Sequence, residues 1–288
     1  MTTEASTGSA VLTAITRYPV KSCHGQELTE SVVEPWGLAG DRRWMLIDEA
    51  GVAVTARECP GLLRVVPQVA GDSLLLDAPQ QPPMQVAVPV GGRLVTVRVW
   101  DDVFEATLVP GSAADWFSEV AGRAVRLVYL DDPRRRPTDP LRSRVGDVVS
   151  LADGYPMLLA STESLGELNR WVEEGPRAGD GPLPMSRFRP NLVISGTPAW
   201  AEDRWRRVRV GQTTFRSAKA CDRCVLTLVD PETGRRTKEP LFSLARHRQW
   251  DHKTWFAVNL IAENPGTTLR LGDSVEVLEQ SGDSGPQR

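Results

Sequence analysis

The residues best suited to chemistry form one short segment, Lys219-Ala220-Cys221-Asp222-Arg223-Cys224. A thiolate is both a nucleophile and a soft metal ligand, and the positive neighbours Lys219 and Arg223 favour it over the thiol. Three readings are open at this level. The pair is half of a zinc site, completed by His247 and His252, since the chain has no second C-x-x-C. Or it is a thioredoxin-type dithiol, although the residues that follow, 225–229, read as a strand where that chemistry needs a helix. Or both cysteines simply pack, as free cysteines commonly do.

Cationic groups beside turns are the second feature. Lys21-Ser22 follows Tyr18-Pro19-Val20, Arg42 follows Gly40-Asp41, and Arg189 and Asn191 flank Pro190. Arg134, Arg135, Arg136, Arg142 and Arg144 crowd one Pro- and Arg-rich stretch. Arginine at loop ends suits bidentate recognition of phosphate or carboxylate. Taken singly, each is equally a solvated surface charge, and spacing says nothing of convergence. The chain has no G-x-x-x-x-G-K-[ST], no G-x-G-x-x-G and no G-x-S-x-G. A P-loop, a Rossmann dinucleotide site and a serine-hydrolase elbow are therefore not indicated.

Something must hold these groups in place, and 288 residues are enough for a sizeable core without staples. With 34 Lys+Arg against 37 Asp+Glu, the net charge of −3 argues against a global grip on nucleic acid. The longest mainly apolar stretch, 255–262, is too short to span a bilayer, so no membrane partner is expected. Residues 1–9 lack the pattern of a signal peptide, and four cysteines do not make a disulfide scaffold, which points to the cytoplasm.

Short runs rich in β-branched and aromatic residues recur at 11–19, 31–36, 43–47, 52–56, 73–76, 85–90, 93–100 and 104–109. Turn residues separate them every 8 to 12 positions, as in a barrel or sandwich. Helical spacing appears at 113–120, and a second helix starts at Ser161 or Thr162 with Leu165, Leu168, Trp171 and Val172 as its apolar stripe. Further strands are expected at 125–130, 192–194, 206–210, 214–217, 225–229 and 275–278, with loops at 131–144 and 174–184. The expected fold is mixed α/β and β-rich. An N-terminal β-barrel-like module (10–105) packs on a larger β-barrel module with a few helices (106–280), and 1–9 and 281–288 are expected to be disordered.

These segments, taken in order, resemble the MOSC family, named after the C-terminal part of molybdenum cofactor sulfurase. Tyr18-Pro19-Val20-Lys21-Ser22-Cys23, Gly40-Asp41-Arg42-Arg43-Trp44 and Val54-Thr55-Ala56-Arg57 are similar to its N-terminal β-barrel segment. Phe188-Arg189-Pro190-Asn191-Leu192-Val193-Ile194-Ser195-Gly196 is similar to its central strand motif, and Cys221-Asp222-Arg223-Cys224, running on to Lys238-Glu239-Pro240-Leu241, to its cysteine motif. Phe256-Ala257-Val258-Asn259 and Glu263-Asn264-Pro265-Gly266 are similar to its closing segment. The ordered combination covers roughly residues 10 to 279.

The resemblance is strongest to the amidoxime-reducing members. It implies a molybdenum cofactor (Mo-molybdopterin) with Cys224 as the catalytic metal ligand. It also implies that Lys21, Ser22, Arg42, Arg189, Asn191, Asp222, Arg223 and Asn259 hold the pterin and phosphate. Asn259 stands where the mitochondrial members carry a tyrosine. The implied activity is reduction of small N-hydroxylated substrates (amidoximes, hydroxylamines), with electrons from an external ferredoxin- or flavin-type reductase. No iron–sulfur motif or nicotinamide fingerprint is visible in the chain. The alternative is a molybdenum cofactor carrier or sulfur-handling adaptor without turnover of its own.

Overall fold

In a computed structural model the chain is described over residues 10–282. Residues 1–9 and 283–288, expected to be disordered, lie outside the described residues. Ser281, just inside, donates its backbone N–H to the Arg204 carbonyl at 2.8 Å.

The fold is β-rich and mixed α/β, as the punctuated short runs imply. Its largest sheet runs through the strands Val11–Arg17, Leu192–Ser195, Met157–Ser161, Lys253–Ala262, Thr213–Asp222, Trp205–Val210 and Val275–Gln280, in that order, with Gln26–Leu28 beside the first. The path returns on itself. Val11 bridges Ser274, and the N–H of Leu12 and of Val275 reach the carbonyls of Asp273 and Ala10 at 2.9 and 2.8 Å. Leu12, Ile15, Met157, Leu159, Trp205, Phe215, Val258 and Leu260 fill the interior. Met157–Ser161 and Leu192–Ser195 are parallel, a pairing that needs a long crossover. Helix Thr162–Glu174 is part of it. Ser161 caps that helix, its hydroxyl accepting the Ser164 N–H at 3.1 Å, and Leu168 and Val172 are buried beneath it.

A second sheet, ordered Leu94–Val99, Asp102–Leu108, Arg126–Tyr129, Trp44–Ile47, Ala53–Val54, packs one face with a three-stranded meander from Val66 to Ala87 and helix Ala113–Ala121, and its other face forms a further core of Met45, Ile47, Val97, Val99 and Phe104. Strand Val11–Arg17 thus pairs with late strands, and Arg126–Tyr129 pairs with the early Trp44–Ile47.

Local pattern misleads in three places. Residues 225–228 form a 3-10 turn rather than a strand. The preceding strand ends at Asp222, and Thr227 folds back on Cys224, its N–H and hydroxyl reaching the Cys224 carbonyl at 3.2 and 2.9 Å. A β-branched run is overridden where the chain must leave the sheet. Met157–Ser161 is buried at every position, so it lacks the alternation that signals a strand. Helix Leu241–His247 is only seven residues long, and its first turn is tied by Glu239, which accepts from the Ser243 N–H and hydroxyl at 3.1 and 2.9 Å.

Candidate functional site

Strand pairing gathers the scattered groups. Lys21 and Ser22 lie beyond Val11–Arg17, Arg189 and Asn191 lead into its neighbour Leu192–Ser195, and Asp222, Arg223 and Cys224 leave Thr213–Asp222. Asn259 sits on Lys253–Ala262, the partner of that strand, and Arg42 precedes Trp44–Ile47. All nine line one cavity. The arginine-rich loop is not part of it. Arg134 and Arg135 pair with Asp132 and Asp131, and Arg144 pairs with Glu263. Arg136, buried, donates to the carbonyls of Ser150, Ala152 and Asp153, and so supports the cavity wall from behind.

Three site residues hold left-handed backbone without being glycine: Ser22 (φ 71°), Arg42 (φ 46°) and Arg189 (φ 57°). Such strain persists only where the surroundings enforce it, and it clusters at functional positions. Arg42 is fixed by Asp41 Oδ2 at 2.6 Å, Asn191 Oδ1 at 3.1 Å and the Arg189 carbonyl at 3.4 Å. Both Arg42 and Arg189 lie against the Tyr18 ring, at 4.5 and 4.3 Å from its centroid. Burial raises the Tyr18 hydroxyl to about 12 despite both cations, so the ring is a neutral surface for them.

Arg189 differs from Arg42 in having a buried Nη2 that no protein acceptor meets, and burial lowers its pKa to about 10. Arg223 likewise leaves a buried Nε unmet, while its other nitrogens reach Cys221 Sγ and the Phe188 carbonyl, each at 2.9 Å. Native proteins rarely leave such donors unsatisfied, so these two mark where an acceptor belongs. Asn191 is the opposite case. Its Oδ1 accepts from Arg42 and from the Leu158 N–H, and its Nδ2 donates to Thr16 O and Asp41 Oδ1. That is the full capacity of an amide, and it works as a brace between strands.

Lys21 Nζ bonds the Leu151 carbonyl at 2.9 Å and Asp153 Oδ1 at 2.5 Å. Burial lowers its pKa to about 8, against the pull of Asp153. Asp153 also accepts from Arg57 Nη2 at 2.6 Å. Burial opposes its ionisation, but Lys21 and Arg57 outweigh burial and hold the carboxyl below the usual carboxylate range. Arg57 and Asp153 are absent from the residues singled out by sequence. Arg57 closes the Val54-Thr55-Ala56-Arg57 motif, whereas Asp153, in an Asp-Gly loop, carries only a turn signal.

The two cysteines part company in space. Arg57 Nε lies 3.4 Å from Cys224 Sγ, whereas Cys221 faces Arg223 and burial pushes its thiol upward. His247 stacks on Trp171 at 4.3 Å between ring centroids, and among the described residues no three His, Cys, Asp or Glu side chains gather to hold a metal. The Cys2His2 zinc arrangement is not formed. Asn259 donates toward the carbonyls of Lys219 and Ala220 at 3.3 and 3.4 Å, and Asp222 is flanked by Lys219 and Lys253. The result is a cationic, hydrogen-bonding cavity lined by two thiols, Cys224 beside Arg57 and Cys221 beside Arg223.

Comparison with known proteins agrees with the motif reading. Residues 9–124 match the MOSC N-terminal β-barrel domain, and residues 146–276 match the MOSC domain. The chain is 33% identical over 283 residues to human mitochondrial amidoxime-reducing component 1, covering 91% of this chain and 81% of that one. It is 32% identical over 279 residues to rat mitochondrial amidoxime reducing component 2, covering 90% and 80%. Rice molybdenum cofactor sulfurase is 30% identical over 269 residues, which cover 88% of this chain and 32% of the sulfurase.

Proposed function

Because the chain belongs to the MOSC family, we propose that this cavity holds a molybdenum cofactor, with Cys224 as the protein's ligand to the metal, and that the protein reduces N-hydroxylated compounds with electrons from a separate reductase. The observation that carries this reading is the pair of orphaned buried donors, Arg189 Nη2 and Arg223 Nε, in the same cavity as Cys224, whose sulfur Arg57 bonds. A phosphate-bearing ligand with a thiophilic metal meets both needs.

When bound, the cofactor supplies two-electron redox chemistry that the cavity's side chains lack. The chain's own residues position and polarise. Arg189, Arg223 and Lys21 offer donors to the anionic group, and Arg42 and Asn191 fix the backbone from which Arg189 projects. Arg57 bonds the Cys224 sulfur and is itself held by Asp153, the kind of outer contact that orients a metal ligand. The proposed setting is the cytoplasm; among the described residues no helix is long and apolar enough to cross a membrane. The names of the matching relatives specify amidoxime reduction, which supports amidoximes, and by the same N–OH chemistry hydroxylamines, as substrates proposed for this chain.

The similarity to sulfurases supports a second reading, a cofactor carrier or sulfur-handling adaptor. One experiment separates the two. Protein purified from a cofactor-competent host is analysed for metal and pterin, then assayed with reduced viologen and an amidoxime. Molybdenum near one per chain with turnover is expected. Molybdenum without reduction of any N-hydroxy compound favours the carrier, and stoichiometric zinc without molybdenum sinks both.

A further inference from the structure

Trp100 stands where a tryptophan is hard to accommodate. Strands Leu94–Val99 and Asp102–Leu108 are joined by only two residues, Trp100 and Asp101, with Val99 opposite Asp102. Two-residue hairpin loops favour glycine or asparagine where φ is positive. Trp100 has φ 55°, and for a bulky side chain that conformation is a genuine outlier. Its side chain is also 60% exposed, so burial of the ring does not explain it. Isolated exposed apolar residues are ordinary; one held in strained backbone at a site's edge is not.

The hairpin is pinned on Gly51. Gly51 (φ 83°) approaches it so closely that a Cβ there would sit 2.4 Å from the Thr96 carbonyl, and the Arg98 N–H bonds the Gly51 carbonyl at 2.9 Å. At the tip, the Trp100 ring lies over the Arg57 guanidinium, 4.7 Å from its central carbon. That same guanidinium touches Cys224 Sγ at 3.4 Å and Asp153 at 2.6 Å. An indole with one side on a half-buried cation and much of its surface in water is therefore one residue removed from the thiol. The cationic floor of the cavity is suited to an anion. Trp100 is an aromatic surface over Arg57, the cavity-lining residue that bonds that thiol.

We propose that Trp100 is a stacking platform that makes the site select aromatic N-hydroxylated compounds over small aliphatic ones. The proposal rests on the reading of the cavity given above. A neutral, planar aryl amidoxime would lie with its ring on the indole and its N–OH group toward Cys224. A methyl amidoxime has no ring to stack.

The test uses cofactor-loaded protein and two probes, benzamidoxime and acetamidoxime. Binding is measured by calorimetry and turnover with reduced viologen, for the wild type, Trp100→Phe, Trp100→Leu and Trp100→Ala. Aromatic stacking makes about a two- to tenfold difference in affinity. Trp100→Leu and Trp100→Ala are expected to weaken benzamidoxime binding, and to raise its KM, by about that factor, with kcat and acetamidoxime binding little changed. Trp100→Phe should keep most of the preference. Leu keeps the bulk without a π face, so it answers the question if the Ala variant fails to fold. Ring-dependent binding without turnover supports the platform and removes the reductase reading. Turnover with an aryl-to-methyl ratio unchanged by Trp100→Leu overturns the platform and leaves the reductase reading standing. Absence of measurable benzamidoxime binding to the wild type also overturns it.

Discussion

Arg57 donates from Nε to Cys224 Sγ at 3.4 Å and from Nη2 to Asp153 Oδ2 at 2.6 Å, so one guanidinium ties the early module to the cysteine motif 167 positions later. The two cysteines of that motif thus have different partners, and their replacements should separate. Cys224→Ala is expected to abolish bound molybdenum and activity. Cys221→Ala, which removes a half-buried thiol facing Arg223, should keep most of both. Metal content per chain is the measurement, and equal losses from both changes would point to a dithiol instead.

In the proposed site Arg57 would act on the metal through the Cys224 sulfur, so Arg57→Ala should weaken metal retention by about ten- to a hundredfold, the range for contacts that orient a ligand. Asp153→Asn should do part of the same, since Arg57 and Lys21 lose their shared carboxylate. Competition with a molybdate chelator reads this out. Retention equal to wild type in Arg57→Ala would leave the guanidinium with no role at the thiol.

Arg189 is a half-buried cation whose buried Nη2 is unmet, and Arg42 is a half-buried cation engaged with Asp41. Their replacements should differ in sign. Arg189→Met is expected to leave the ligand-free protein as stable or more stable, because it removes a charge without its acceptor, while lowering cofactor occupancy roughly ten- to a hundredfold. Arg42→Met should lose both stability and occupancy, since it strands Asp41, which is 1% exposed. Urea midpoints of the apo-proteins with pterin content after dialysis distinguish them, and a destabilised apo Arg189→Met would refute the argument.

In the proposed site Lys21 would make anion binding depend on pH. Burial brings its pKa to about 8, so the ammonium form, which offers the charge, is present below that value and lost above it. Cofactor retention should weaken as pH rises from 7 to 9.5. Lys21→Met should be weak throughout and flat across that range, measured by pterin release on gel filtration.

Glu202 predicts a stability trend of the other kind. It is fully buried, its Oε1 accepts from Ser164 Oγ at 2.6 Å and its Oε2 has no partner. Burial raises its pKa from 4.5 to about 7. The unfolded chain therefore gives up this proton first. The penalty is absent below about pH 4.5, accrues as pH rises, and is complete above about 7, on the order of 3 kcal/mol. Glu202→Gln should remove this component, raising the urea midpoint over wild type more at pH 8 than at pH 5. An increment independent of pH would contradict the assignment.

Much of this was legible in residue types and local pattern. The short punctuated runs showed a β-rich chain, Ser161 with its apolar stripe showed a capped helix, and the ordered motifs picked out nine residues that line one cavity. Local pattern could not show why they meet. Val11–Arg17 pairs with Leu192–Ser195 and Thr213–Asp222 with Lys253–Ala262, and such pairings are chosen by burial of the whole core, not by any window of sequence. The turn at 225–228 was misread for the same reason, its β-branched residues yielding to the need to carry Cys224 away from the sheet. Only the tertiary structure distinguished Asn191, a saturated brace, from Arg189, a donor awaiting an acceptor. It alone set Asp153 between two cations and Trp100 above Arg57. Residue type fixes what a side chain is able to bond, and which of those bonds the protein itself already uses is decided by packing.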